Sequence, residues 1–151
     1  MVNLNEIETM ESYEKIAKLE GDEYNQYKVI ALIYLDKFKE ALKFVQPGSF
    51  EAAYIYYKLK NYKKALKIIS KFKDEKSFIL KSQILYSLGF YNKAYEILRN
   101  MPKDDEIVIN MQAMKSMALL TEKTNSICGH KLWMKKKDEI IDFDNLESHK
   151  L

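Results

Sequence analysis

The side chains that could act as nucleophile or base are few and lie near the end of the sequence. Cys128 stands two residues before His130, and His149 comes two residues from the last position. A reactive thiolate needs a defined electropositive setting, and acid–base work needs a partner held within hydrogen-bond reach. Neighbours on a tail beyond the predicted core supply neither. No glycine-rich phosphate loop, zinc-ligand spacing or paired-carboxylate motif occurs, and a single cysteine excludes an internal disulfide or a multi-cysteine metal site. The sequence thus reads as non-catalytic, with no cofactor and no metal.

The residue types that do recur are those of binding surfaces, lysine and tyrosine. The 151 residues carry a net charge of +3 that hides an asymmetry. Residues 1–24 hold seven acids and two lysines, whereas residues 58–81 hold nine lysines and two acids. A basic middle segment suits a solvated face, an acidic partner or RNA. Lys60, Lys63, Lys64, Lys67, Lys71 and Lys73 fall mainly on one predicted helix. Near the end, His130, Lys131, Trp133, Lys135, Lys136 and Lys137 combine positive charge with an indole, as single-stranded RNA binding requires. Asp138, Glu139, Asp142 and Asp144 come directly after and cancel that charge. An RNA contact and a disordered or partly helical tail both remain open for this block.

Four Gly and two Pro are too few for an all-β fold. With 47% apolar and 31% charged residues the composition is globular, and the length suits one domain. The longest apolar run, Val29 to Leu35, is too short to span a membrane, and the acidic N-terminus is unlike a signal peptide. A cytoplasmic protein without membrane insertion is expected.

Three segments repeat: Phe38-Lys39-Glu40-Ala41, Tyr62-Lys63-Lys64-Ala65 and Tyr91-Asn92-Lys93-Ala94. Each is an aromatic, two polar residues and an alanine, placed after an apolar stretch that ends in Leu35, Leu59 or Leu88. Each continues to a second apolar residue, Val45, Ile69 or Leu98. The pattern resembles the tetratricopeptide (TPR) helix–turn–helix, in which the small alanine lets the second helix lie close to the first. The aromatic wedges into the turn, and Gly89 provides a positive φ there. The repeats lie 24 and 29 residues apart, shorter than the roughly 34 of a standard TPR, so trimmed helices or tight connections are expected.

The predicted elements are an acidic helix over 3–20, helix pairs over about 23–46, 49–72 and 76–101, and a helix from Asp104 to about Thr124. This last helix, with Ile107, Met111, Met114 and Met117 on one side, is a natural cap for the repeats. Gly129 ends the regular part. The expected architecture is an all-α, TPR-like helical-hairpin solenoid with a C-terminal capping helix over residues 1–124. A short basic and acidic tail occupies 125–151.

The order of these pieces is more telling than the repeat alone. The runs Lys28-Val29-Ile30-Ala31-Leu32-Ile33 and Phe38-Lys39-Glu40-Ala41-Leu42 resemble the N-terminal TPR region of the 72-kilodalton subunit of the eukaryotic signal recognition particle. So do Ser49-Phe50-Glu51-Ala52-Ala53-Tyr54, Tyr57-Lys58-Leu59, Ala65-Leu66, and Gln83-Ile84-Leu85-Tyr86 with Tyr91 after it. The resemblance covers about residues 20–120. It implies a scaffold for co-translational protein targeting to the endoplasmic reticulum, whose TPR region holds the C-terminal region of the 68-kilodalton subunit. It also implies a basic region beyond the repeats that binds the particle's RNA; by position alone, Lys131, Trp133, Lys135, Lys136 and Lys137 correspond to it. Members of that family continue with further repeats and a lysine-rich tail, so this chain reads as a reduced version or a fragment.

In a TPR the first helix of each pair lines the concave face. Carried onto this sequence, those positions are Gln26, Ile30, Ile33 and Tyr34, then Phe50, Tyr54, Tyr57 and Lys58, then Ile79, Gln83 and Tyr86. Tyrosine is amphipathic and frequent at binding hot spots. Core packing is the competing role, most of all for Ile30, Ile33 and Phe50. An unrelated TPR adaptor or co-chaperone that captures a peptide carboxylate is the alternative function. It needs several bases in the groove, and only Lys58 is basic there.

Overall fold

The computed structural model describes residues 4–128, and every regular element among them is helical. The order is α1 (Leu4–Ala17), a 3-10 turn (Asp22–Tyr24), α2 (Asn25–Tyr34), α3 (Phe38–Ala41), α4 (Phe50–Lys58), α5 (Tyr62–Ile69), α6 (Glu75–Ser87), α7 (Tyr91–Arg99) and α8 (Asp105–Cys128). This is the all-α, TPR-like hairpin fold that the repeats predict. The helices fall into two compact units, Met1–Ile69 and Ser70–Leu151.

Each hairpin is closed by the same turn. Asp36, Lys60 and Gly89 adopt φ values of 56°, 60° and 84°, the left-handed conformation that ends many helices. In each turn two N–H groups reach back to the preceding helix. The Lys37, Asn61 and Phe90 amides donate to the carbonyls of Leu32, Tyr56 and Leu85 at 2.8, 2.8 and 2.9 Å. The Asp36, Lys60 and Gly89 amides donate to Ile33, Tyr57 and Tyr86. Carbonyls that a helix end leaves orphaned are thereby satisfied. The second helix then begins at Phe38, Tyr62 or Tyr91, and its alanine (Ala41, Ala65 or Ala94) is fully buried.

Three of the other helices, α4, α6 and α8, start on side-chain caps. Ser49 accepts from the Ala52 amide at 3.2 Å, Asp74 from the Ser77 amide at 2.9 Å, and Asp104 from the Ile107 amide at 2.8 Å. Each satisfies a donor that has no intrahelical partner. The Ser77 amide and hydroxyl both donate to Asp74 and hold its carboxyl below the ordinary 3.8. At the far end of α7, the Lys103 ammonium donates to the carbonyls of Leu98 and Arg99 at 2.9 and 2.6 Å, the placement a helix C-terminus favours.

In the first unit, Val29 and Leu32 of α2, Ala41 of α3 and Ile55 of α4 form one core cluster. Ala17, Ile33, Phe38, Leu42, Phe44, Val45 and Leu59 pack around it. The helix expected over 3–20 stops at Ala17, and its Met10 is exposed. The second helix of the first pair is also shorter than its sequence suggests. It holds one turn, Phe38–Ala41, and the chain then tightens in part: the Lys43 and Phe44 amides bond three residues back, to Glu40 and Ala41, while the Val45 amide reaches four back, to Ala41. Pro47 comes next and disfavours the α conformation at Gln46.

In the second unit, Leu80, Ile84 and Leu85 of α6 are buried, as are Ala94 and Leu98 of α7 and Ile107, Met114 and Ala118 of α8. α8 lies against α7 as the predicted cap and runs on to Cys128, past the expected end near Thr124. Its methionine side faces protein, with Met111 and Met117 half-buried. The large apolar residues of α8 left in solvent, among the described side chains, are Val108, Ile109, Leu119 and Leu120. Among the described residues no helix is long and apolar enough to cross a membrane.

Candidate functional site: the outer face of the first helices

Counted back from each hairpin alanine, the eleven groove positions recur at the same offsets, fifteen, eleven, eight and seven residues before it. On a helix of 3.6 residues per turn these four offsets share one side. Burial agrees with that geometry. Offsets twelve and ten are buried in all three first helices: Val29 and Ala31, Ala53 and Ile55, Ser82 and Ile84. The other side, with the predicted groove residues, is the more open one.

In the first unit, α2 presents Gln26, Ile30 and Tyr34 to solvent, while Ile33 is half-buried against the core cluster. Tyr34 is 65% exposed, yet its ring stacks on Tyr13 of α1, with centroids 4.7 Å apart and planes 3° apart. The acidic helix therefore covers one end of this face, a contact nothing in the sequence announced. On α4, Phe50, Tyr54 and Tyr57 are half-buried and Lys58 is exposed. The Lys58 ammonium sits 5.6 Å from the Tyr54 ring centroid, a cation–π pair one helical turn apart.

In the second unit, Ile79, Gln83 and Tyr86 are all half-buried on the corresponding side of α6. Tyr86 meets Tyr91 edge-on at 5.2 Å. In the first unit Tyr57 meets Tyr62 at 6.0 Å in the equivalent way. Both pairs join offset eight to the aromatic that heads the second helix, so Tyr57 and Tyr86 also brace their own hairpins. Tyr54 has no such brace, and it is the tyrosine of α4 whose removal disturbs the fold least.

Lys60, Lys63, Lys64, Lys67, Lys71 and Lys73 are all exposed. Nothing in the sequence singles out Lys28, yet it is 7% exposed, with its ammonium 4.9 Å from the Phe44 ring centroid. Lysine is seldom buried so deeply unless paired, and the aromatic face is what receives its charge. Among the described residues no three of His, Cys, Asp and Glu converge as a metal site. Lys131, Trp133, Lys135, Lys136 and Lys137, the proposed RNA contacts, lie outside the described residues, as do His130 and His149.

Among known families, the model of the SRP TPR-like repeat matches residues 9–117, well over half of the chain. That span takes in α2 to α7 and all eleven groove positions. No curated protein matches the chain.

Proposed function

The chain belongs to the SRP TPR-like repeat family, and from that premise we propose that it is a non-catalytic scaffold equivalent to the 72-kilodalton subunit of the signal recognition particle. In this reading it works in the cytoplasm, in co-translational targeting to the endoplasmic reticulum. The open faces of α2 and α4 in the first unit, and separately that of α6 in the second, offer contacts to the C-terminal region of the 68-kilodalton subunit. RNA contact, if made, belongs to Lys131, Trp133, Lys135, Lys136 and Lys137.

The observation that carries the reading is the family match together with a repeated outer face rich in aromatic side chains. Tyrosines with one side packed and one side open suit a peptide segment that brings both apolar and hydrogen-bonding groups. The carboxylate-capturing adaptor has less support, because Lys58 is the one base among the eleven face positions.

Calorimetric titration of the 68-kilodalton subunit's C-terminal region into the full chain tests this. One-to-one binding is expected, weakened by about 2 kcal/mol in Tyr54→Ala if that ring is an anchor, with helicity unchanged. No heat of binding from a well-folded chain overturns the scaffold reading. Unchanged affinity in Tyr54→Ala moves the contact away from α4.

A further inference from the structure

Beyond the single turn of α3, Leu42 and Val45 are partly buried against the core cluster and also border α4 and α5. An open cleft of about 240 Å³ lies there, within the first unit. Its apolar wall comes from Leu42 and Val45 beyond α3, Ala52 of α4 and Ile68 of α5. Pro47, Gly48, Tyr56, Lys64 and Lys67 complete the lining. This is not the aromatic face described above. Ala52 and Tyr56 stand two residues from Tyr54 and Lys58, which places the two sets about 200° apart around α4.

The chemistry of the lining is divided. Inside it is apolar; at the edge are two lysines without a carboxylate partner among the described residues. The Lys64 ammonium lies 5.3 Å from the Tyr56 ring centroid. The segment around them, residues 58–81, carries nine lysines against two acids. The volume is below the roughly 300 Å³ at which small-molecule sites begin, and suits one inserted side chain.

We propose that this cleft is a second docking site, which takes an acidic peptide segment of a partner protein. The segment inserts one aromatic or aliphatic side chain against Leu42, Val45 and Ile68, and its carboxylates pair with Lys64 and Lys67. A polyanion without an apolar group would leave the inner wall in water and gain only the screened surface attraction. RNA would bring bases that need an open ring to stack on, but Tyr56 is half-buried with Lys64 over its ring. An acidic segment with an apolar anchor uses both halves of the lining at once.

The test is fluorescence anisotropy of the full chain with a labelled peptide of Asp and Glu around one central Phe. Lys64→Glu with Lys67→Glu is expected to weaken binding at least roughly tenfold. Both side chains are exposed, so helicity should be retained. Replacing the peptide's Phe by Ala should weaken binding comparably, and Tyr54→Ala should leave it unchanged. The proposal is overturned if the unaltered chain does not bind the peptide, if the lysine changes have no effect, or if the Phe-to-Ala peptide binds equally well. Tighter, lysine-dependent binding of a short single-stranded RNA overturns it too. Tyr54→Ala separates the two sites: it weakens capture of the 68-kilodalton subunit in the scaffold reading and does nothing at the cleft.

Discussion

The first and third hairpins are closed by the same turn and yet differ in the helix beyond it. In α2–α3 the second helix ends after four residues; in α6–α7 it runs for nine. Both turns have a positive-φ residue, the same pair of returning hydrogen bonds and a fully buried alanine. The turn and the alanine therefore fix how a hairpin begins, but not how far its second helix extends. Extension depends on the residues beyond. After Ala94, Leu98 is buried at the next turn; after Ala41, the backbone tightens toward Pro47, and Leu42 and Val45 are only partly buried, packed on the core cluster and bordering the cleft.

Overpacking the alanine tests this difference most sharply. Ala94→Leu has a full helix on either side and should cost about 1–3 kcal/mol in urea denaturation. Ala41→Leu, with no regular helix after it, should cost clearly less. Equal costs would mean that the missing helix gives the first hairpin no room to adjust.

Substitutions in the turn test what the hairpins share. Gly89→Ala places a Cβ at φ 84° and should destabilise by roughly 1–2 kcal/mol. Lys60→Gly, at φ 60°, should do the reverse and stabilise by up to about 1 kcal/mol. A loss of stability in Lys60→Gly would show that its side chain contributes more than its backbone conformation costs.

Next in size is the cap that opens the second hairpin. Ser49→Ala removes the acceptor for the Ala52 amide and should lower the denaturation midpoint by an amount equivalent to about 1 kcal/mol. Asp74 gives the smallest effect, seen only in acid. Its carboxyl is held below the ordinary value, mainly by the Ser77 amide and then by the Ser77 hydroxyl. A depressed folded value stabilises above the unfolded value and ceases to do so as pH falls through the folded one. Thermal unfolding of Asp74→Asn should thus lose part of the decline that the unaltered chain shows below about pH 4. An identical acid profile would assign that decline to other carboxylates.

Much of this fold can be read from the sequence because its spacing rests on local patterns. The three aromatic-x-x-Ala segments placed the hairpins, and Gly89 marked one turn directly. Asp36 takes the same conformation with a residue type that tolerates it, but Lys60 does so without one, held there by the returning hydrogen bonds. The short spacing called for trimmed helices, but that α3 would be the one cut to a single turn was not legible for a related reason. Lys43, Phe44 and Val45 are acceptable in a helix, and Pro47 acts from a distance of several residues. On the candidate face, the eleven positions were carried over from the TPR pattern. They could not reveal that Tyr57 and Tyr86 each lean on a second aromatic, or that α1 brings Tyr13 onto Tyr34, because those contacts depend on how helices meet. The cleft lay hidden as well. Its lining comes from three stretches, and only the unusually short 24-residue spacing hinted that something between them was missing.

The closing turns also provide the molecule with three internal clocks. The amides of Lys37, Asn61 and Phe90 lie in connections, where backbone N–H groups ordinarily trade deuterium with solvent quickly. Each is instead held at 2.8–2.9 Å by the carbonyl of Leu32, Tyr56 or Leu85, so its exchange waits for that hairpin to open. Three resonances in a hydrogen-exchange spectrum can therefore time the three hairpins separately, and report which of them a bound partner holds shut.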